Sequence, residues 1–228
     1  MRKAVIALAA LAVLAAPAAP RAEEKAEGHG DVGLKLGVGL GYGIPFGDAT
    51  QDHALSGIYA GEIPVELELS YKFTHAISAG VYAGYGYGLV STSGEYRPGV
   101  KASDVVESIA TWRFGVQGEY EFGKMGSALP WAGLRIGYVT ESISLKNGGG
   151  TAKATGWEYL TLMGGADFEI AKAFAVGPFL ALSFGQYTTE QVPGESSASI
   201  PSGERTIHEW LTIGVRATFD VGATEEVQ

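Results

Sequence analysis

Large apolar and small residues alternate along residues 32–47, which read VGLKLGVGLGYGIPFG. The even positions all hold large apolar side chains, and the odd positions from 33 to 43 hold five glycines and one lysine, followed by Pro45 and Gly47. Successive side chains of a β-strand point to opposite faces. The pattern therefore predicts a strand with one bulky apolar face and one nearly bare face.

The same alternation recurs in seven further segments. They span residues 63–73, 77–90, 108–122, 131–141, 159–170, 174–186 and 207–221. The connections alternate in length, with short ones at 74–76, 123–129 and 171–173 and long ones at 48–62, 91–106, 144–156 and 188–206. Eight strands joined by short turns at one end and long loops at the other predict an all-β fold, an eight-stranded antiparallel up-and-down β-barrel.

The two faces of these strands indicate which side of the barrel is inside. A soluble barrel would crowd the large apolar side chains of eight strands into a small interior and would expose glycines to water. With the apolar face in lipid, the inward glycines leave room for long polar side chains from other strands. Aromatic residues of the apolar face also cluster near the short turns and again toward the long loops, as in the two girdles of a transmembrane barrel. We therefore predict that the barrel is transmembrane, with its backbone polar groups paired around the closed sheet.

Residues 1–22 have the composition of a secretory signal peptide. Arg2 and Lys3 precede an apolar run of 13 residues, and small residues suited to cleavage follow between Ala18 and Ala22. The run is too short for a membrane helix, which needs about 20 residues. We expect a periplasmic N-terminal tail at residues 23–31, the barrel at 32–221 and a short C-terminal tail at 222–228. The sequence has no cysteine, which excludes disulfides and a lipid anchor on cysteine.

The net charge argues against nucleic acid as a partner. The chain has 16 basic and 25 acidic side chains, a net charge of −9. Removal of residues 1–22 takes away three basic side chains and leaves the mature chain at −12. Such a chain repels a polyanion.

With its signal peptide, eight alternating segments and final strand, the chain resembles the small eight-stranded outer-membrane barrels of the OmpA-like and OmpX-like type. The resemblance covers nearly all of the mature chain. It implies integral location in the outer membrane of a Gram-negative bacterium, contact with outer-membrane lipids including lipopolysaccharide, and a monomeric state. It also implies that the outer-membrane assembly machinery reads the last strand, IGVRATF, at Ile213, Val215, Ala217 and Phe219. This chain departs from that pattern by continuing past Phe219 through DVGATEEVQ.

Charged side chains on the inward face are the most informative candidate site. The basic ones are Lys35, Lys72, Arg113, Arg135 and Arg216, and the acidic ones are Glu66, Glu68, Glu119, Glu121, Glu141, Asp167, Glu169 and Asp220. Unpaired charge in a narrow lumen is costly, so they predict a paired network that fills the barrel. Arg113 and Arg135 are expected to compete for Glu66 and Glu68. The alternative is a permeation path lined by the same residues.

Other patterns in the sequence do not support a cofactor. The stretch GEYEFGK at residues 118–124 approaches a phosphate-binding P-loop, but Met125 stands where Ser or Thr must hold magnesium. The four histidines, at positions 29, 53, 75 and 208, lack metal-ligand spacing. A lipid hydrolase would need a nucleophile and a base in reach of each other. Its candidates are His208, Glu209, Ser196, Ser197 and Ser199, although a histidine at the rim is expected to be solvated.

Three functions follow, in order of preference. The first is a scaffold, not an enzyme, with a largely plugged lumen and long extracellular loops for surface interaction or envelope integrity, because exposed loops on a rigid frame are usual binding sites. The second is a narrow diffusion channel for small solutes or small hydrophobic compounds. The third is the lipid-modifying hydrolase.

Overall fold

The barrel is built from eight long strands. The computed structural model describes residues 32–50, 53–97 and 99–221, so the predicted signal peptide and both predicted tails lie outside the described residues. The strands are β1 Gly33–Thr50, β2 Tyr59–Lys72, β3 Ile77–Val90, β4 Val106–Glu121, β5 Ala128–Leu145, β6 Thr151–Ala171, β7 Phe174–Gln191 and β8 His208–Val221.

The sheet closes on itself. Each strand pairs antiparallel with the next along the chain, and β8 pairs back with β1, from Leu34 opposite Val221 to Gly47 opposite His208. Closure removes the sheet edges that would otherwise carry unpaired backbone groups. The prediction of an eight-stranded antiparallel up-and-down barrel is confirmed.

We call the end of the barrel with the long connections the loop end and the opposite end the turn end. Several short helices and strands lie at the loop end. Two one-turn helices lie there, α1 Leu55–Ile58 and α2 Ala102–Val105, with short strands His53–Ala54, Glu95–Arg97, Val100–Lys101 and Ala198–Ser199. None of the helices in the described part of the chain is long and apolar enough to cross a membrane.

The prediction of a long loop at residues 144–156 is wrong. β5 and β6 stay paired as far as Ser144 opposite Thr151, and only a tight turn over residues 146–150 connects them. The Gly149 amide donates to the Lys146 carbonyl at 3.1 Å, and Asn147 and Gly148 adopt φ values of 55° and 72°. The apolar alternation marks lipid contact, and it stops where the strands leave the membrane although their backbone pairing continues.

The outer face of the barrel carries the large apolar side chains assigned to lipid. Leu67 is 59% exposed, Trp112 56% and Val215 53%. Outward aromatic residues pair edge to face at two levels, Tyr120 with Phe122 near the turn end and Tyr85 with Trp112 toward the loop end, with ring centroids 5.1 and 5.0 Å apart. The two levels match the two interfaces of a membrane.

Inward glycines provide space for side chains that cross the lumen. A Cβ atom built on Gly86 would lie 2.5 Å from Oε2 of Glu62, and one built on Gly137 would overlap the hydroxyl of Tyr82. Larger residues at these positions would displace the polar groups that fill the barrel. This close approach explains why small residues alternate with apolar ones.

The loop end should face the outside of the cell. A short epitope tag inserted at Gly148 in the β5–β6 turn, or at Ser196 in the β7–β8 loop, is expected to bind antibody on intact cells. The same tag at Lys172, in the turn between β6 and β7, should bind only after the outer membrane is permeabilised. Surface labelling at Lys172 but not at Gly148 would show that the orientation is reversed.

Candidate functional site

Arg216 lies at the centre of the charged residues nearest the turn end. Its Nε and Nη2 donate to Asp167 at 3.1 and 2.6 Å, and its Nη1 donates to Glu119 at 2.5 Å. These residues belong to β8, β6 and β4, so the guanidinium bridges strands from different sides of the barrel. Arg216 is only 2% exposed.

Two lysines extend this group, which we name the lower cluster and which consists of Lys35, Lys72, Glu119, Glu121, Asp167, Arg216 and Asp220. Lys35 donates to Glu119 and also to Glu121, the latter at 3.3 Å. Lys72 donates to Glu121 at 3.2 Å and lies 3.9 Å from the Asp220 carboxylate. Three basic and four acidic side chains thus close the turn end of the lumen.

Arg135 of β5 organises the middle cluster, defined as Glu66, Glu68 and Arg135. It donates through Nη1 to Glu66 at 2.6 Å and through Nη2 to Glu68. Its Nε donates to the side-chain oxygen of Gln117 at 2.9 Å, and the Gln117 amide donates in turn to Glu68 at 3.2 Å. Both carboxylates come from β2, across the lumen from β5.

Arg113 of β4 organises the upper cluster, defined as Glu62, Arg113 and Glu158. It donates through Nη1 to Glu62 and through Nε to Glu158 at 3.0 Å. The Tyr82 hydroxyl donates to the second oxygen of Glu158 at 3.3 Å. Arg113 therefore does not compete with Arg135 for Glu66 and Glu68, contrary to the expectation from sequence, because Glu62 and Glu158 lie nearer its own level.

Each cluster repeats one arrangement, an arginine that pairs with two carboxylates and lies over one aromatic ring. The guanidinium carbon of Arg216 is 3.4 Å from the centre of the Trp131 ring, that of Arg135 is 4.6 Å from Tyr82, and that of Arg113 is 5.8 Å from Trp210. Cation–π contacts of this kind gain strength when desolvated. Around Trp131, inward Met163, Phe179 and Ala181 form an apolar layer.

An apolar cap covers the lumen at the loop end. Leu55 and Ile58 of α1 pack there in one buried cluster, whose other members are Tyr59, Val106, Ile109, Ile143 and Trp210. Just below, the Tyr187 hydroxyl donates to Glu141 at 2.5 Å. The described part of the lumen is thus packed from its turn end to its loop end.

A small cavity separates the middle and upper clusters. It has a volume of about 20 Å³ and is lined by residues of both clusters together with Tyr82, Thr161 and Ser183. A cavity of about 10–15 Å³ is large enough for one water molecule. The cavity therefore has room for about one water molecule and is too small to form a passage.

Glu141 and Glu169 differ from the network predicted for them. Glu141 faces inward, but its hydrogen bond comes from Tyr187 and not from a basic residue. Glu169 forms an ion pair with Lys124 at the turn end, where the two side chains are 29% and 43% exposed. Glu169 lies beyond Asp167 toward the end of β6, so its carboxylate reaches water.

The sequence pattern does not reveal two carboxylates of the upper cluster. Glu62 falls in a predicted loop because apolar alternation starts only at Ile63. Glu158 faces inward because of a bulge in β6: Arg135 lies opposite Thr161, but Gly137 lies opposite Glu158. An extra residue on one strand reverses the parity of all positions beyond it. The sequence does contain a signal for this change of face. Trp157 and Tyr159 are exposed aromatic residues at odd positions, whereas the apolar residues later in β6, such as Leu162, are at even positions.

The remaining candidate residues lie apart from the charged clusters. Ile213, Val215 and Phe219 are exposed on the outer face of β8, with Ala217 half-buried between them. Their recognition by assembly machinery stays a prediction. The P-loop-like stretch forms the end of β4 and a turn, and its two glutamates belong to the lower cluster.

His208 is not solvated, contrary to the expectation from sequence. It is 2% exposed and stacks on Tyr187 with ring centroids 4.4 Å apart. Its Nδ1 has no hydrogen-bond partner, and Ser196, Ser197 and Ser199 lie on the exposed β7–β8 loop. Among the described residues, no group of three or more His, Asp or Glu side chains has the geometry to hold a metal ion.

Comparison with known proteins identifies the family. A model of the outer membrane protein β-barrel domain matches residues 6–198. The chain belongs to this family. Members are barrels of the outer membrane, so the family points to the outer membrane of a Gram-negative bacterium as the location of this chain.

Three solved structures are similar to this chain at low sequence identity. OprG from Pseudomonas aeruginosa is 13% identical with a TM-score of 0.50, and the match covers 86% of this chain and 99% of OprG. A major outer membrane protein from Thermus thermophilus is 14% identical, with a TM-score of 0.49 and coverage of 82% and 98%. Neisserial surface protein A is 12% identical, with a TM-score of 0.48 and coverage of 80% and 95%. No curated protein sequence matches this outer-membrane barrel.

Proposed function

We propose that this outer-membrane barrel is a closed scaffold that presents its extracellular loops for surface interaction or envelope integrity. The observation that carries the proposal is the filled lumen, where three arginine-centred clusters and an apolar cap pack against one another and the cavity between the middle and upper clusters measures about 20 Å³. A hydrated ion needs a continuous wide passage, as in barrels of 16 or more strands. A plugged barrel instead serves as a frame for its loops.

Hydrogen bonds between the loops support this function. The Ser91 amide donates to the Ile58 carbonyl at 2.8 Å, which joins the first loop to the second. Lys146 of the third loop donates through Nζ to the Ser103 carbonyl at 2.7 Å. Thr206 of the fourth loop donates to the carbonyl of Asp48, near the loop end of β1, at 2.7 Å. Loops held in this way lose less conformational entropy when a partner binds.

Conductance measurements test the closed lumen. Wild-type protein in planar bilayers is expected to conduct close to zero, whereas Arg113→Ala should raise the conductance because it removes the bridge between Glu62 and Glu158. A wild-type barrel that conducts steadily, with Arg113→Ala changing only ion selectivity, would support the diffusion channel and overturn the scaffold.

The buried position of His208 argues against a lipid hydrolase, because a general base must reach both the nucleophile and the substrate. Purified wild-type protein is therefore expected to release no fatty acid from phospholipid or lipopolysaccharide. Hydrolysis that disappears in His208→Ala but persists in His75→Ala would favour an enzyme.

A further inference from the structure

Buried polar atoms without a hydrogen-bond partner accumulate in one part of the lumen, just below the apolar cap. They are the Tyr59 hydroxyl, Oε2 of Glu62, Oγ1 of Thr111 and Nδ1 of His208, and each of these residues is at most 2% exposed. A buried polar atom that lacks a partner is strongly unfavourable. Their concentration here indicates that a further group satisfies them.

The oxygen atoms of this set lie on neighbouring strands at one level. Thr111 of β4 is directly opposite Gly86 of β3 on one side and Glu141 of β5 on the other. The Glu62 carboxylate covers Gly86, since a Cβ built there would lie 2.6 Å from its Oε1. Tyr59 lies beside this level, since a Cβ built on Gly88, which is opposite Glu62, would lie 2.8 Å from its Cε1. Glu62, Thr111 and Glu141 thus lie at one level of neighbouring strands, with the Tyr59 ring next to them.

The charge in this part of the lumen is unbalanced. Glu62, Glu141 and Glu158 are each at most 4% exposed, and Arg113 is the basic residue that pairs with two of them. Glu141 has the Tyr187 hydroxyl as its hydrogen-bond donor. A buried carboxyl without a basic partner is stable only if it is protonated or if a cation binds beside it.

We propose that Glu62, Thr111 and Glu141, with the Tyr59 hydroxyl, form a binding site for a small monovalent cation of the sodium type. Carboxylate and hydroxyl oxygens are the ligands that hard cations prefer. Of the two carboxylates at the site, Glu62 is already paired with Arg113, so the charge of Glu141 is the one that a single positive charge would balance. The site differs from the loops of the proposed function and does not depend on them.

Thermal unfolding of the folded barrel in detergent micelles tests the site. At fixed pH and ionic strength, replacing choline chloride by sodium chloride is expected to raise Tm by about 5–10 °C once sodium exceeds its Kd about a hundredfold. Choline is too large to enter the lumen, so it controls for ionic strength. Thr111→Val, which keeps the side-chain shape but removes the hydroxyl, should lose most of this sodium-dependent shift, and Glu141→Gln should lose it as well.

Glu121→Gln is the matched control, because it neutralises a buried carboxylate of the lower cluster and should keep the full sodium response. A ²³Na NMR measurement gives a second readout: wild-type protein should broaden the sodium signal more than Thr111→Val does. Equal Tm values in sodium and choline would overturn the proposal. A larger shift with calcium than with sodium at matched ionic strength, or an unchanged sodium shift in Thr111→Val, would overturn it too.

Discussion

Replacing Arg216 by alanine is expected to lower the free energy of unfolding of the barrel by about 3–5 kcal/mol, the usual cost of removing one partner of a buried ionic network. The substitution leaves Glu119 and Asp167 without their shared guanidinium and uncovers the Trp131 ring. Two carboxylates then remain in a dry lumen with one basic neighbour fewer. Urea unfolding of the protein in lipid vesicles, followed by tryptophan fluorescence, measures the loss.

Lys124→Ala provides the matched control for Arg216→Ala. It also removes a basic partner of a carboxylate, but the Lys124–Glu169 pair is partly exposed at the turn end. Exposed pairs contribute about 0–1 kcal/mol. If Arg216→Ala lost no more stability than Lys124→Ala, the lower cluster would have to be hydrated, and the closed lumen would be wrong.

Val38→Arg is expected to destabilise folding into a bilayer by about 2–4 kcal/mol, since Val38 lies near the middle of the alternating segment 32–47 of β1 with its side chain 50% exposed on the outer face. An arginine there places its guanidinium in hydrocarbon. Folding titrations in urea with vesicles of defined thickness measure the change. Val38→Leu, which keeps an apolar side chain at the same position, should fold like the wild type.

If Val38 faced the lumen, the folding titrations would give a different result. Arginine at position 38 would then meet the buried carboxylates and cost much less than in lipid. Folding titrations in which Val38→Arg equals Val38→Leu would therefore mean that the apolar face of β1 does not contact lipid.

The faces of the strands could be predicted because side-chain alternation is a local property of the chain. Lys35, Arg135 and Arg216 occupy inward positions that follow directly from the parity of their own segments. The strand count and the alternation of short and long connections are equally local. This information sufficed for an eight-stranded transmembrane barrel.

Pairing across the lumen could not be predicted in the same way. Arg113 and Arg135 face the same lumen from adjacent strands. The alternation of side chains shows only that Glu66 and Glu68 also face this lumen, so either arginine could pair with them. The vertical offset between strands decides that Arg135 takes both of these carboxylates while Arg113 takes Glu62 and Glu158. That offset depends on closing the whole sheet, which no single segment encodes.

The amino-acid sequence by itself determined the number of strands, the lipid-facing side and the sign of the charges inside, because each depends on a period of two residues and on the hydrophobic effect. The tertiary structure alone decided that the charges form three clusters beneath an apolar cap. It also turned Glu158 inward through the bulge in β6 and buried His208 against Tyr187. These features arise from contacts between residues far apart in the chain, whose geometry exists only once the register of the closed barrel is set.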